Sequence, residues 1–102
     1  MTNYHIDFNA IPWESPEKGI RTKTIIKGSK KLRIVEFSND FVETDWCLKG
    51  HIGYILEGEI EIDFDGSIQL FKTGEGLFIP KGQKHRHQST IQKARLFLVE
   101  EV

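Results

Sequence analysis

The sequence predicts an all-β, antiparallel fold, and three features lead to that reading. Segments rich in β-branched and aromatic residues recur about every 8–12 residues. Within them apolar and polar residues alternate, and no stretch sustains the apolar spacing of an amphipathic helix. Between them lie KGSK, EGE, KTGEG and PKGQK, each supplying glycine at a turn.

The elements follow in chain order. Residues 1–20 include IPWESPEKG, with two of the three prolines, and are expected to run as an irregular arm ahead of a barrel spanning 21–102. LRIVEF (32–37) and GYIL (53–56) read as strands. In EIEIDFDGSIQLF, Ile60, Ile62 and Phe64 share one side and Glu59, Glu61 and Asp63 the other, ahead of Asp65-Gly66. That is a half-buried strand entering a tight hairpin, because Asp-Gly tolerates the positive φ angles of a two-residue turn. GLFIP (76–80) and ARLFLV (94–99) complete the set.

Two of these strands carry apolar residues on both sides. If His51, Gly53 and Ile55 face inward, Ile52 and Tyr54 face outward, and Phe97 and Val99 likewise oppose Leu96 and Leu98. Both faces must then be covered, either by the arm with Phe8, Ile11 and Trp13 or by a second subunit. A homodimer is expected, since closed twofold dimers are the commonest oligomers.

Composition narrows the function. At 102 residues the chain makes one domain and hides roughly two-thirds of its unfolded surface, so a bound metal would serve function rather than folding. The formal net charge is -1 with both signs interleaved, which offers no basic face to nucleic acid or an anionic membrane. The lone cysteine cannot close an intramolecular disulfide, and MTNYHIDFNAIPW lacks a basic start followed by an apolar run. A reduced, cytoplasmic protein is expected, with no apolar run near the ~20 residues that span a bilayer.

The most specific motif is GEGLFIPKGQKH, residues 74–85. Pro80 ends a strand where no amide donor is needed, Gly82 permits a tight turn, and the chain re-enters the sheet at His85 with His87 on the same face. Two imidazoles on one inner face can converge on an ion. The order glycine, five residues, proline, one residue, glycine, two residues, histidine resembles the second signature of the cupin superfamily. YILEGEIEI resembles the strand-turn-strand that follows the first signature, so the likeness spans roughly residues 30 to 100. It implies a double-stranded β-helix, a jelly-roll barrel closing two sheets around an internal pocket.

The resemblance also implies where a metal would sit. Metal-binding cupins carry His-x-His and a glutamate in the first signature and one histidine in the second. The first three positions fall here on Asp45, Cys47 and His51, and the fourth on His85. The chain departs from the pattern at all three, but toward other coordinating side chains. Each has a plain alternative: Cys47 as a small buried hydrophobe, Asp45 as a solvated or capping carboxylate, His87 as a packed barrel histidine. If Cys47 joins two or three imidazoles, the set suits zinc first, with iron or nickel second. Trp46 and Tyr54 are expected to point away from the pocket. No glycine-rich phosphate loop or hydrolytic triad is legible.

Three functions remain open. The first is a binding module holding a divalent metal, a small polar ligand, or both. The second is a metal-dependent enzyme acting on a small oxygenated substrate, with the isomerase, dioxygenase or sugar-modifying chemistry the resemblance implies. The third is a metal-free structural or ligand-sensing dimer. Loss of the usual ligand triplet puts the binding module first.

Overall fold

In the computed structural model, residues 3–102 are described, and these form strands in two facing sheets. In chain order they are β1 (Glu14–Glu17), β2 (Ile20–Lys27), β3 (Lys30–Ser38), β4 (His51–Glu57), β5 (Glu59–Asp63), β6 (Ile68–Lys72), β7 (Gly76–Ile79), β8 (Arg86–Thr90) and β9 (Lys93–Glu101). One sheet has the order β1-β2-β3-β9-β4-β7 and the other β6-β5-β8. Every pairing is antiparallel, and among the described residues there is no α-helix, only a 3-10 turn at Phe8–Ala10. This is the jelly-roll barrel that the strand pattern and the resemblance imply.

The hairpin between β5 and β6 forms as its sequence requires. Asp65 and Gly66 have φ of 63° and 107°, and the Phe64 N–H donates to the Ser67 carbonyl at 2.8 Å. The N-terminal segment differs from the expected irregular arm, because residues 14–17 form β1 on the edge of the large sheet. Pro16 is tolerated there because an edge strand leaves one side unpaired, and the β1–β2 register shifts between Glu14 and Glu17. Strand β2, IRTKTIIK, also escapes the pattern reading. Its polar residues sit near the sheet edge, where burial does not enforce alternation.

The core lies between the sheets. Along β9, Ala94, Leu96 and Leu98 point inward and are buried, as are Val35 of β3, Ile55 of β4 and Ile60 and Ile62 of β5. Full burial of each large aliphatic side chain contributes about 1.5–3 kcal/mol. Gly53 occupies an inward position of β4 for a steric reason. A Cβ there would lie 2.5 Å from both the Phe97 carbonyl oxygen and Leu98 Cδ2, so glycine lets β4 close onto β9.

The outer face is only partly covered. Phe8 packs edge-on against Phe97 with ring centroids 6.1 Å apart, so the N-terminal segment shields β9. Ile52 and Tyr54 of β4 and Phe78 of β7 remain exposed, Phe78 at 73%. On the same sheet Glu36 of β3 ties three strands together. It accepts from Arg21 Nε of β2 at 2.8 Å and Arg95 Nη2 of β9 at 2.6 Å, its register partners on either side. The Arg21 guanidinium also lies 4.1 Å over the Trp13 ring.

Burial alone would raise the Glu36 pKa, but hydrogen bonds and charge from Arg21 and Arg95 outweigh it and hold the carboxyl below its usual range. Its contribution is therefore full above the unfolded value near 4.5 and is lost as pH falls through the lower folded value. Because both arginines are partly solvated, Glu36→Gln is expected to cost about 1 kcal/mol at pH 7. Urea unfolding of wild type and variant at neutral pH and near pH 3 checks this. An undiminished gap in acid would show that the ionised carboxylate is not its source.

Candidate metal centre

Cys47 and His85 are brought together by backbone. The loop after β3 returns to the barrel through one isolated bridge, in which the Cys47 N–H donates to the His85 carbonyl at 2.7 Å and the His85 N–H to the Cys47 carbonyl at 3.0 Å. The motif ahead of His85 sets its approach. Gly82 adopts φ +93° and its N–H donates to the Leu48 carbonyl, while the Gln83 N–H closes a turn onto Pro80. His51 opens β4 opposite Ile79 of β7. The His51 and His85 rings meet edge to face with centroids 5.0 Å apart, and Cys47 Sγ lies 3.8 Å from His51 Nε2. One ligand atom from each of Cys47, His51 and His85 falls within 4.8 Å of the others.

Both imidazoles are oriented from behind. His51 Nδ1 meets Glu100, whose ionised carboxylate can only accept, so Nδ1 carries the proton, and in the neutral ring Nε2 holds the lone pair. His85 Nδ1 donates to the Gln83 carbonyl at 2.7 Å, which frees its Nε2 in the same way. Glu100 is in turn held by Arg33, whose Nη2 donates at 2.9 Å. Arg33 Nε lies 2.8 Å from the other carboxylate oxygen but off the hydrogen-bond line, an ion-pair contact only. Burial opposes ionisation of Glu100, yet hydrogen bonds from His51 and Arg33 and the charges of Arg33 and of a protonated His51 hold its pKa down to about 2.

The donor set fits a transition metal. Two imidazole lone pairs and a sulfur converge, each histidine backed by a carboxylate or carbonyl as ligating histidines usually are. The other two sequence candidates stand outside this cluster. His87 is buried, but its ring stacks on Phe37 at 4.7 Å and meets Phe41 edge-on at 5.0 Å. Its Nε2 is 3.2 Å from Thr90 Oγ1, and burial pushes its pKa down to about 4, so the ring is neutral at physiological pH. Asp45 is exposed, because the segment around Cys47 is paired only at that bridge and strand alternation does not carry back to it. Trp46 packs under Lys84 and Arg86 and, like the half-exposed Tyr54, does not line the cavity.

The cluster opens into a cavity of about 290 Å3 between the sheets. Its walls are largely aliphatic, from Val35, Ile60, Leu96 and Leu98; the three donors and His87 add polar points, and Glu17, Lys31, Arg33, Glu43, Lys49 and Glu100 add charged ones. Glu100 and Arg33 were missed in the sequence. The signal was present, since Ala94, Leu96, Leu98 and Glu100 lie on one face of β9, placing a carboxylate on a face otherwise apolar.

The sequence pattern of the cupin domain matches residues 49–100, a stretch that includes His51, His85 and Glu100. The chain belongs to the cupin family. No curated protein matches this cupin by sequence. Among solved structures, KdgF from Halomonas sp. is 18% identical with a TM-score of 0.77, covering 91% of this chain and 89% of that one. An RmlC-like cupin from Shewanella frigidimarina is 15% identical with a TM-score of 0.80, covering 98% and 91%. The polyketide cyclase RemF from Streptomyces resistomycificus is 20% identical with a TM-score of 0.74, covering 98% and 80%. At these identities the likeness is one of fold.

Glu100→Ala leaves Arg33 facing the barrel without its counter-charge. A loss of about 3 kcal/mol is expected in denaturant unfolding, since breaking a buried pair from one side costs more than the pair is worth. The double variant Arg33→Met, Glu100→Leu is expected to recover most of it. If the double variant is as unstable as the single one, the buried charge is not the cause.

Proposed function

We propose that this cupin is a binding module whose barrel holds a divalent metal, zinc first and iron or nickel second, beside a pocket for a small polar ligand. The support is the convergence of Cys47, His51 and His85, with His51 Nε2 3.8 Å from Cys47 Sγ and both Nδ1 atoms engaged by Glu100 and the Gln83 carbonyl. Two nitrogens and a sulfur favour zinc over the hard, oxygen-seeking magnesium and calcium. Asp45 and His87 take no part in this set. A bound metal would supply Lewis acidity to an oxygen ligand, while His51 and His85 would hold it and Glu100 would fix the His51 ring.

A second reading, a metal-dependent enzyme, is favoured by one feature. Cys47, His51 and His85 would hold a zinc ion with three protein donors, the number usual in catalytic rather than structural zinc sites. We rank it second because, apart from the β3–β4 connection (39–50) that carries Cys47, the connections between strands are short. The lone Cys47 in the pocket fits a reducing, cytoplasmic setting, and no helix among the described residues is long and apolar enough to cross a membrane.

Elemental mass spectrometry on untagged protein purified without chelator tests the metal. Near-stoichiometric zinc, iron or nickel is expected in wild type and in His87→Phe. Loss is expected in His51→Ala and His85→Ala, and affinity weakened by about 10–100-fold in Glu100→Gln. Wild type that neither carries metal nor takes it up would defeat the proposal, as would full retention in the double variant His51→Ala, His85→Ala.

The exposed Ile52, Tyr54 and Phe78 support a homodimer formed through the β4–β7 face. Light scattering after gel filtration is expected to give twice the 11.8 kDa chain mass, falling to the monomer in Phe78→Lys. A monomeric wild type at tens of micromolar would remove the dimer, and with it the third reading of a metal-free sensing dimer.

A further inference from the structure

The β3–β4 connection, residues 39–50, is the longest between strands and carries Cys47. It lies along β8, the edge strand of the small sheet, whose other side pairs with β5. Both of its ends are fixed. Phe41 is buried against Phe37 and His87, and its main chain abuts the β1–β2 turn so closely that a Cβ on Gly19 would lie 2.4 Å from the Phe41 nitrogen. Gly50 presses on the turn after β7, where a Cβ would fall 2.9 Å from the Lys81 nitrogen.

Between these ends, residues 42–49 are held along a seam of separate polar contacts. Cys47 and His85 exchange their two backbone bonds, and the Gly82 N–H donates to the Leu48 carbonyl at 2.8 Å. The His87 N–H donates to a side chain, Glu43 Oε1, at 2.7 Å, and Arg86 Nη1 donates to the Thr44 carbonyl at 3.1 Å. Val42, Thr44, Asp45, Leu48 and Lys49 are exposed, and none of residues 42–49 is fully buried. Surface hydrogen bonds are replaced by water at small net cost, and a segment with few buried apolar contacts opens more readily than the ladders beside it. The segment is also a wall. Glu43, Cys47 and Lys49 line the inner cavity, and at Phe41, Glu43 and His87 that cavity adjoins an outer hollow of about 270 Å3.

We infer that residues 42–49 form a hinged arm that swings as one unit between Phe41 and Gly50, bringing Cys47 to the candidate site when closed and uncovering the cavity when open. Only the effect of closing on metal rests on the binding-module reading. Cys47 is the one donor on the arm, whereas His51 opens β4 and His85 directly precedes β8 across the seam. Cys47 can therefore join the two imidazoles around an ion only in the closed arm. Whatever factor a bound metal adds to closing, closing adds to metal affinity, because the two are linked. Metal uptake and closure of the pocket's side wall become one equilibrium.

Amide hydrogen exchange resolved by NMR tests this, because the N–H groups of Cys47, Gly82, His85 and His87 all donate across the seam. In metal-free protein these four are expected to share one opening constant, about 10-fold or more above that of the Leu96 and Leu98 amides in β9. Glu43→Ala removes only the bond to His87, yet is expected to raise the opening of all four by about 10-fold. Saturating zinc should slow the four by a common factor, and about the same factor should separate the zinc affinities of wild type and Cys47→Ala. In Cys47→Ala that slowing should vanish. Seam amides as slow as those of β9, or acceleration of His87 alone in Glu43→Ala, would overturn the arm. Zinc that binds wild type without slowing the seam would overturn its coupling to metal. If the protein takes up no metal, the binding-module reading of the metal fails, and the metal-free comparison of wild type with Glu43→Ala still decides the arm.

Discussion

The Glu100 carboxylate is a charge placed inside an aliphatic barrel, and the site depends on how that charge is satisfied. It ends the inward face of β9, directly after Ala94, Leu96 and Leu98, where an isolated ion would cost several kcal/mol. Arg33 supplies the counter-charge from β3, the strand paired with β9, and His51 supplies a hydrogen bond from β4 on the other side. The consequence reaches past stability. Once Glu100 accepts from His51 Nδ1, the imidazole is fixed in tautomer and direction, and its Nε2 is committed to the side where Cys47 and His85 already lie. A single buried acid thus links the packing of three strands to the geometry of the donors.

How much of this was legible in the sequence follows from what each residue's position is determined by. Where one face is polar, period-two alternation fixes which residues point inward, so Ile60 and Ile62 could be assigned to the core without coordinates, whereas in β9, apolar on both faces, it only groups Leu96 with Leu98. The Asp65-Gly66 turn was legible because few other residues adopt its backbone. The family's motif spacing paired His51 with His85, and their ring centroids lie 5.0 Å apart. Asp45 was not resolvable, because it sits on a segment held by a single bridge, and alternation says nothing about residues outside a ladder. Strands β1 and β2 went unread for a related reason: near a sheet edge, with polar residues on both sides, a strand has no pattern that burial must enforce.

His85 and His87 show how two like residues, two positions apart on one face, acquire different chemistry. His85 finds a carbonyl for Nδ1 and sits beside a thiol and a second imidazole. His87 is enclosed by Phe37 and Phe41, which disfavour its protonated form, and it gives Nε2 to Thr90. Spacing gave both residues the same inward face. Only the neighbours contributed by β3 and the loop after it separate an imidazole of the candidate cluster from one enclosed by aromatic rings. A motif match names positions, whereas the surroundings that tune those positions come from elements distant in the chain.

The same reasoning limits what the fold can contribute to function. Proteins as unlike as KdgF and a polyketide cyclase share this barrel at 20% identity or less, so the arrangement of strands carries no reaction with it. What distinguishes one cupin from another is the set of side chains on its inward faces and at its mouth. Here the usual histidine pair and glutamate are replaced by an exposed Asp45, Cys47 and His51, while a carboxylate reappears behind the site as Glu100. A glutamate ligating the metal directly would lower the site's net charge, whereas Glu100 spends its charge on Arg33 and His51. With one thiolate as the anionic donor, a divalent ion would keep a residual positive charge of about one unit.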